Sequence, residues 1–225
     1  MKLYNLIKIP AIKEKNKGKM KEGQLIGLKP EINCEVTLQS ENHILLYIGQ
    51  NRSIYSLAFV YSAPNSTPHK TLQSIAQSTK PEEPLLILGA NARVGEEYTS
   101  AEDLHISFES ILQPRKSKDN NLNKAGKKLI KTCIEEGLTI LNGKTKDDLH
   151  GQYTYVSRIG AGTIDLGICN ISFLNLNFNF AVLDWSESDH FSIFLNNEKK
   201  TIYTETETYK ILGEYKILQV LGPYC

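Results

Sequence analysis

Hydrophobic residues in this 225-residue chain follow two periods that alternate after residue 42. Residues 43–48 and 53–61 are dense in Ile, Leu, Val and Tyr and flank Gly49-Gln50-Asn51-Arg52, which predicts two strands joined by a tight turn. Pro64-Asn65-Ser66-Thr67-Pro68 halts the second strand and opens a helix with apolar residues at Leu72, Ile75 and Ala76. The all-apolar run 85–88 reads as a central strand buried on both faces. Asn123 is placed to cap a second helix, with Leu129, Ile130, Cys133 and Ile134 on one face and Gly137 as its stop. Further strands are predicted at 138–141, 153–157, 163–169, 178–183 and 190–195. Helices separated by several short strands predict an α/β sandwich rather than a simple parallel sheet.

Three stretches carry no clear period. Residues 1–42 are polar and weakly patterned, and residues 96–122 read as a long loop, acidic first and basic later. The tail from Thr201 alternates Thr and Glu before a final apolar stretch, and no element is predicted there.

Composition narrows the class. With 40% apolar and 23% charged residues the chain can bury a real core, and a net charge of +1 gives no global attraction to nucleic acid or acidic membranes. Locally, residues 1–22 hold seven lysines and two glutamates, which suits a solvated arm or a contact to a phosphate backbone. Cys34, Cys133, Cys169 and Cys225 lack Cys-x-x-Cys spacing, so neither a zinc site nor a disulfide framework is expected. A reducing intracellular compartment, nuclear or cytoplasmic, follows as the expectation. The apolar stretch 4–12 is broken by Lys8 and Pro10, and no stretch approaches membrane-helix length, so no membrane partner is expected.

The candidate chemistry starts at Ser188-Asp189-His190, just ahead of the apolar run 191–195. An acid can fix an imidazole's tautomer and stabilise its cation, making the ring an acid, base or charge stabiliser near neutral pH. Alone, the triplet suits a strand-edge histidine and a capping aspartate equally well. Three residues at other predicted strand ends add to it. Tyr61 is a phenol that could donate to a phosphate oxygen, Asn91 an amide that could hold a nucleophilic water, and Asp165 a carboxylate between apolar neighbours. Each also has a packing or backbone-satisfying reading. Together, in this order, they suit phosphodiester cleavage.

As an ordered set the motifs resemble the endonuclease/exonuclease/phosphatase superfamily, the DNase I-like fold, and within it the apurinic-type endonuclease domains of non-LTR retrotransposons. Residues 61–66 resemble the family's Tyr-x-Pro-Pro-Asn-Ser. Ser117-Lys118-Asp119 with Asn123, Gly126 and Leu141-Asn142-Gly143-Lys144-Thr145 resembles its helix and the Leu-Asn-Gly-Arg-Thr that follows. Tyr153-Thr154-Tyr155-Val156-Ser157, Thr163-Ile164-Asp165 and Ser188-Asp189-His190-Phe191 resemble its last strands. The resemblance covers about residues 18–196, leaving a basic arm at 1–17 and a tail at 197–225. It implies a sandwich of two mixed sheets flanked by helices, and magnesium-dependent hydrolysis of DNA. His190 would contact the scissile phosphate, oriented by Asp189 or Asp165, with Asp189 also near the metal. Asn91 would position the nucleophile, Tyr61 would support the phosphate, and Arg93, Asn142 and Thr154 would bind substrate. Oligomeric state is left open.

Two departures accompany the resemblance. The family reads Gly-Asp-Phe-Asn-Ala-Arg after its central strand; aligning Asn91-Ala92-Arg93 puts Gly89 where its catalytic Asp is expected, and a one-residue deletion would align the segment differently without restoring an acid. The magnesium-binding Glu, in a Gln-Glu-Thr context, would precede the segment resembled by residues 17–23; Asn5 and Glu14 lie there, but in another context. The sandwich is therefore expected to miss its first strands and to have impaired or lost catalysis. The alternative is a non-catalytic module that binds nucleic acid or protein through the same cleft.

Overall fold

The computed structural model describes residues 4–10, 24–30, 32–50, 53–63, 66–96, 114–176, 178–183 and 188–197. Much of the basic arm with Glu14, the Asn51-Arg52 turn, Pro64-Asn65, residues 97–113 and the tail after 197 lie outside the described residues.

In chain order the elements are β1 (Asn5–Ile9), β2 (Gln24–Leu28), β3 (Asn33–Gln39), β4 (His43–Gln50), β5 (Ser53–Val60), α1 (Pro68–Gln77), β6 (Leu85–Ala90) and α2 (Lys124–Glu135). They continue with β7 (Leu138–Ile140), a 3-10 turn at Lys146–Asp148, β8 (Tyr155–Ser157), β9 (Gly160–Gly162), β10 (Asp165–Asn170), α3 (Ile171–Leu174), β11 (Phe178–Leu183) and β12 (Ser192–Asn197).

Six strands form one mixed sheet in the order β3-β4-β5-β6-β10-β7. Only β5 and β6 run parallel, and α1 is the crossover that a parallel pair requires. β6 and β10 are buried along their whole length, as the apolar run at 85–88 predicts. On one face of this sheet, Leu72 and Ile75 of α1 and Leu129 and Cys133 of α2 pack on Ile87, Leu166 and Ile168. On the other, Ile9 and Ile26 of the β1-β2 pair and Phe180, Ile193 and Leu195 of the β11-β12 pair cover Ile44, Leu46, Leu86 and Leu88. The expected α/β sandwich is present. Among the described residues its second layer is made of the antiparallel pairs β1-β2 and β11-β12, with no ladder between them.

Several local readings change. Residues 1–42 hold β1, β2 and β3 despite their weak pattern, and β1 lies within the stretch read as a basic arm. These strands are short, and β1 and β3 expose most of their residues, so pairing with neighbours fixes them rather than their own period. β9 is Gly-Ala-Gly and is a strand only because β8 pairs with it. In α2 the predicted Asn123 cap is made, its Oδ1 accepting from Gly126 N at 2.7 Å. Ile134, expected on the buried face with Leu129 and Cys133, is instead 57% exposed. Gly137 ends the helix in the left-handed region at φ +63°. No helix among the described residues is long and apolar enough to cross a membrane.

Candidate functional site

Three strand ends meet at one edge of the six-stranded sheet. Val60 at the end of β5 pairs with Gly89, and Ala90 at the end of β6 lies opposite Asp165 at the start of β10. Tyr61, Asn91 and Asp165 therefore emerge side by side. His190 is brought to them by its bridge to Tyr155. Phe191 N donates to Thr154 O and Val156 N donates to Asp189 O, each at 2.8 Å.

The His190 ring meets the carboxylate of Asp165, with Nδ1 2.8 Å from Oδ2. A carboxylate brings no proton to the pair, so Nδ1–H donates and Nε2 remains for a ligand. Of the two aspartates expected to orient the ring, Asp165 is the one that does so. Asp189 is exposed and contributes only its charge. The Asp165 side chain is 4% exposed and the imidazole 23%, and the ring of Tyr155 lies 4.9 Å away, tilted by 57°. Burial pulls the imidazole's pKa down, but the hydrogen bond and charge of Asp165, with help from Asp189, outweigh it and hold the pKa above its ordinary value. Asp165→Asn removes the opposing charge and leaves the burial, so the His190 titration midpoint is expected to fall in an NMR pH series. An unchanged midpoint would show that Asp165 is not its partner.

Asp165 is itself held from two sides. Thr154 Oγ1 accepts from Ile164 N at 2.9 Å and Asp165 N at 2.8 Å. Asn142 Nδ2 donates to Asp165 O at 3.2 Å while its Oδ1 accepts from Gly167 N at 2.9 Å. Both side chains are fully buried. Asn142 and Thr154, expected to bind substrate, thus hydrogen-bond the backbone around Asp165 from buried positions.

Arg93, expected to bind substrate, is paired within the chain. Its Nε and Nη2 form a fork on Asp119 at 2.7 and 2.9 Å, and Nη2 also donates to Ala161 O at 2.6 Å. Asp119, 2% exposed, accepts in addition from Thr163 N at 3.0 Å and Asn121 N at 3.1 Å. The pair ties the β8-β9 hairpin to the segment after β6. Asp119 was not among the candidate residues, and its only sequence signal is its place in the Ser117-Lys118-Asp119 motif. Asn91 spends an amide N–H on Ser62 O at 2.7 Å, which links the end of β6 to the residue after Tyr61. Tyr61 and Asn91 both stay partly exposed at the edge.

Residues 89–91 decide whether magnesium fits. Gly89, Ala90 and Asn91 all have positive φ, at 117°, 91° and 45°. A Cβ on Gly89 would lie 1.9 Å from Val60 O, so no side chain fits there, let alone a carboxylate. Ala90 is 2% exposed and sits in the apolar layer under the helices with Ala92 and Val94, so an acid there would be buried away from the dyad. Asp165 is committed to His190, which leaves Asp189 as the one exposed carboxylate of the cluster among the described residues. No three His, Cys, Asp or Glu side chains gather as a metal site among the described residues. A hard cation that needs oxygen ligands in near-octahedral array is poorly served by this set.

The mixed six-stranded sheet and the packed pairs match a known architecture. The chain is similar to the endonuclease domain of TRAS1, a telomere-specific non-LTR retrotransposon, with a TM-score of 0.58 over 86% of this chain and 77% of that one, at 17% identity. The chain has the DNase I-like fold. An endonuclease/exonuclease/phosphatase family protein from Leptotrichia buccalis C-1013-b is more distant, with a TM-score of 0.49, 15% identity and coverage of 84% and 69% of the two chains. D. rerio TDP2 complexed with single strand DNA product gives 0.46, 12%, 85% and 75%. No family model and no curated protein matches the sequence. The DNase I-like scaffold of this chain thus keeps a His–Asp dyad at the sheet edge and closes the position beside it to any side chain.

Proposed function

We propose that this chain recognises a nucleic-acid phosphodiester at the edge of its DNase I-like sandwich and hydrolyses it poorly or not at all. The observation that carries the reading is the His190–Asp165 pair, kept beside Asn91 and Tyr61, next to a Gly89 that admits no side chain. A buried carboxylate holding an imidazole towards its cationic form supplies one charge-assisted donor for a phosphate oxygen. Asp165 holds Nδ1, so Nε2 is the atom that would meet the phosphate. Tyr61 adds a phenolic donor, and the Asn91 carbonyl oxygen is available to orient a water or a sugar hydroxyl.

Among the described residues this set lacks a base beside the phosphorus and a second exposed carboxylate for a cation. Loss of a positioned general base alone costs about 10²–10⁴ in rate. Retrotransposon ancestry is supported by the likeness to the TRAS1 endonuclease domain, and DNA is the substrate class that ancestry suggests.

The test measures binding and nicking separately. Wild type is expected to bind DNA at low salt equally well in EDTA and in magnesium. His190→Ala should weaken binding by about tenfold, the value of one charge-assisted hydrogen bond. Supercoiled plasmid should show no nicking that depends on His190. Magnesium-dependent nicking that disappears in His190→Ala would establish an active nuclease instead. Binding unchanged by the substitution would remove the dyad from recognition.

A further inference from the structure

Helix α2 carries its charges in the reverse of the order that stabilises a helix, and α1 has a base, Lys70, in its first turn and no acid. The amino end of a helix is electropositive and favours acids, and its carboxyl end favours bases. Neither helix has an acid in its first turn or a base in its last. α2 instead opens with Lys124, Lys127 and Lys128 and closes with Glu135, followed by Glu136. Its four lysines are exposed at i, i+3, i+4 and i+7, so like charges stand next to each other along one side. Lys131 reaches Glu135 at 3.6 Å. Lys124, Lys127, Lys128 and the exposed Lys70 of α1 have no carboxylate within ion-pair distance among the described residues. Helix stability does not account for this pattern, but an external anion would.

The two helices lie side by side and point the same way. His69, at the start of α1, lies within the field of Lys128. Further along α1, Gln73 and Gln77 donate to Glu136, just past the end of α2, at 3.3 and 3.0 Å. Both electropositive ends therefore face one edge of the sheet, and it is the edge that carries the dyad. α1 begins seven residues after Tyr61. At the start of α2, Asn123 N donates to Arg93 O at 3.1 Å, and Gly126 packs so closely on the same carbonyl that a Cβ would lie 1.9 Å from it. Arg93 is two residues past Asn91. Burial and the charges of Lys128 and Lys70 together hold the His69 imidazole below its ordinary pKa, as expected in an electropositive patch.

We propose that Lys70, Lys124, Lys127 and Lys128 form a ridge that binds the phosphate backbone of a nucleic acid continuing out of the His190 cleft on its Asn91 side. The choice of occupant rests on reading the cleft as a phosphodiester site. Neighbouring lysines on the helix stand about 5–6 Å apart and offer point charges without a shaped pocket, which suits contact along a chain of phosphates irrespective of sequence. Among the described residues the lysine cluster has no large apolar residue exposed that could enter a membrane; exposed Ile134 lies at the far end of α2.

The test uses the full chain, a 20-base-pair duplex and a single strand of the same length, with affinity followed across about 50–200 mM salt in EDTA. The variants are K124Q/K127Q/K128Q and His190→Ala. The triple variant is expected to fold at least as well as wild type, to bind at least tenfold more weakly at low salt, and to lower the slope of log affinity against log salt by about 2–3. His190→Ala should lose affinity but keep most of that slope. An unchanged slope in a folded triple variant overturns the ridge whatever His190→Ala does. A reduced slope with His190→Ala identical to wild type supports the ridge and sinks the cleft reading. Lysine-dependent binding to phosphatidylserine vesicles without lysine-dependent DNA binding would overturn the nucleic-acid assignment in favour of a membrane surface.

Discussion

Replacing Gly89 with aspartate is expected to unfold the protein rather than to restore a catalytic carboxylate. The family pattern makes this the obvious repair, because Gly89 stands where that Asp would be. The backbone forbids it. Gly89 has φ +117°, and its Cβ would lie 1.9 Å from the Val60 carbonyl, a backbone atom held by the β5-β6 ladder. No rotamer relieves a clash made at Cβ, so Gly89→Ala should fail nearly as badly. Loss of at least about 4 kcal/mol is expected, in the range seen when strain and overpacking combine. The next two residues add to the difficulty. Ala90 and Asn91 already hold positive φ, at a cost of about 1–3 kcal/mol each, and persist because neighbouring strands fix them. A urea titration decides the matter. A Gly89→Asp protein with a wild-type midpoint would show that residues 89–91 take another path, and His190-dependent nicking by it would revive the nuclease.

Asp119→Ala is expected to cost about 3 kcal/mol, though Asp119 lies outside the dyad. The substitution strands the buried Thr163 N–H and the Asn121 N–H and frees Arg93 from its fork. Because Arg93 also holds Ala161 O, the β8-β9 hairpin beside His190 should loosen as well, and Tyr155, Val156 and Ala161 amides should exchange faster. The same residue predicts a pH dependence. Burial pushes the Asp119 carboxyl up, but the hydrogen bonds from Arg93, Asn121 and Thr163 and the charge of Arg93 outweigh it, so its folded-state pKa is depressed. A depressed carboxyl contributes stability that is fully present above its unfolded pKa, near 4, and is lost as pH falls through the lower folded value. Asp148, raised chiefly by burial, acts in the opposite sense. The acid loss assigned to Asp119 is therefore the part that disappears in Asp119→Asn. Identical acid unfolding of the two proteins would exclude the pair as a source of stability.

The strands and helices with a clear period were legible because their period is imposed by burial. The run at 85–88, the helix faces at Leu72 and Ile75 and at Leu129 and Cys133, and the Asn123 cap all lie where the pattern put them. Strands β1 to β3 and β9 were not legible, since pairing with neighbours rather than their own residues makes them strands. Motif order singled out His190, Asp165, Asn91 and Tyr61 as candidates, and the fold brings them to one sheet edge. The division of work among them was not legible in that order. Whether Asp165 or Asp189 holds the imidazole depends on which carboxylate β10 delivers to the ring across 25 residues of chain. That the Asn142 and Thr154 side chains bond the backbone around Asp165 depends on which groups are buried.

By itself, the sequence determined the kind of fold and the types of side chain at the sheet edge, because periodicity and residue type are local properties. Tertiary structure alone decided that Gly89 can carry no side chain, that Asp119 braces Arg93, and that two helices begin at one edge of the sheet. Each of these is a contact between segments far apart in the chain, and a contact has no signature in either segment taken alone.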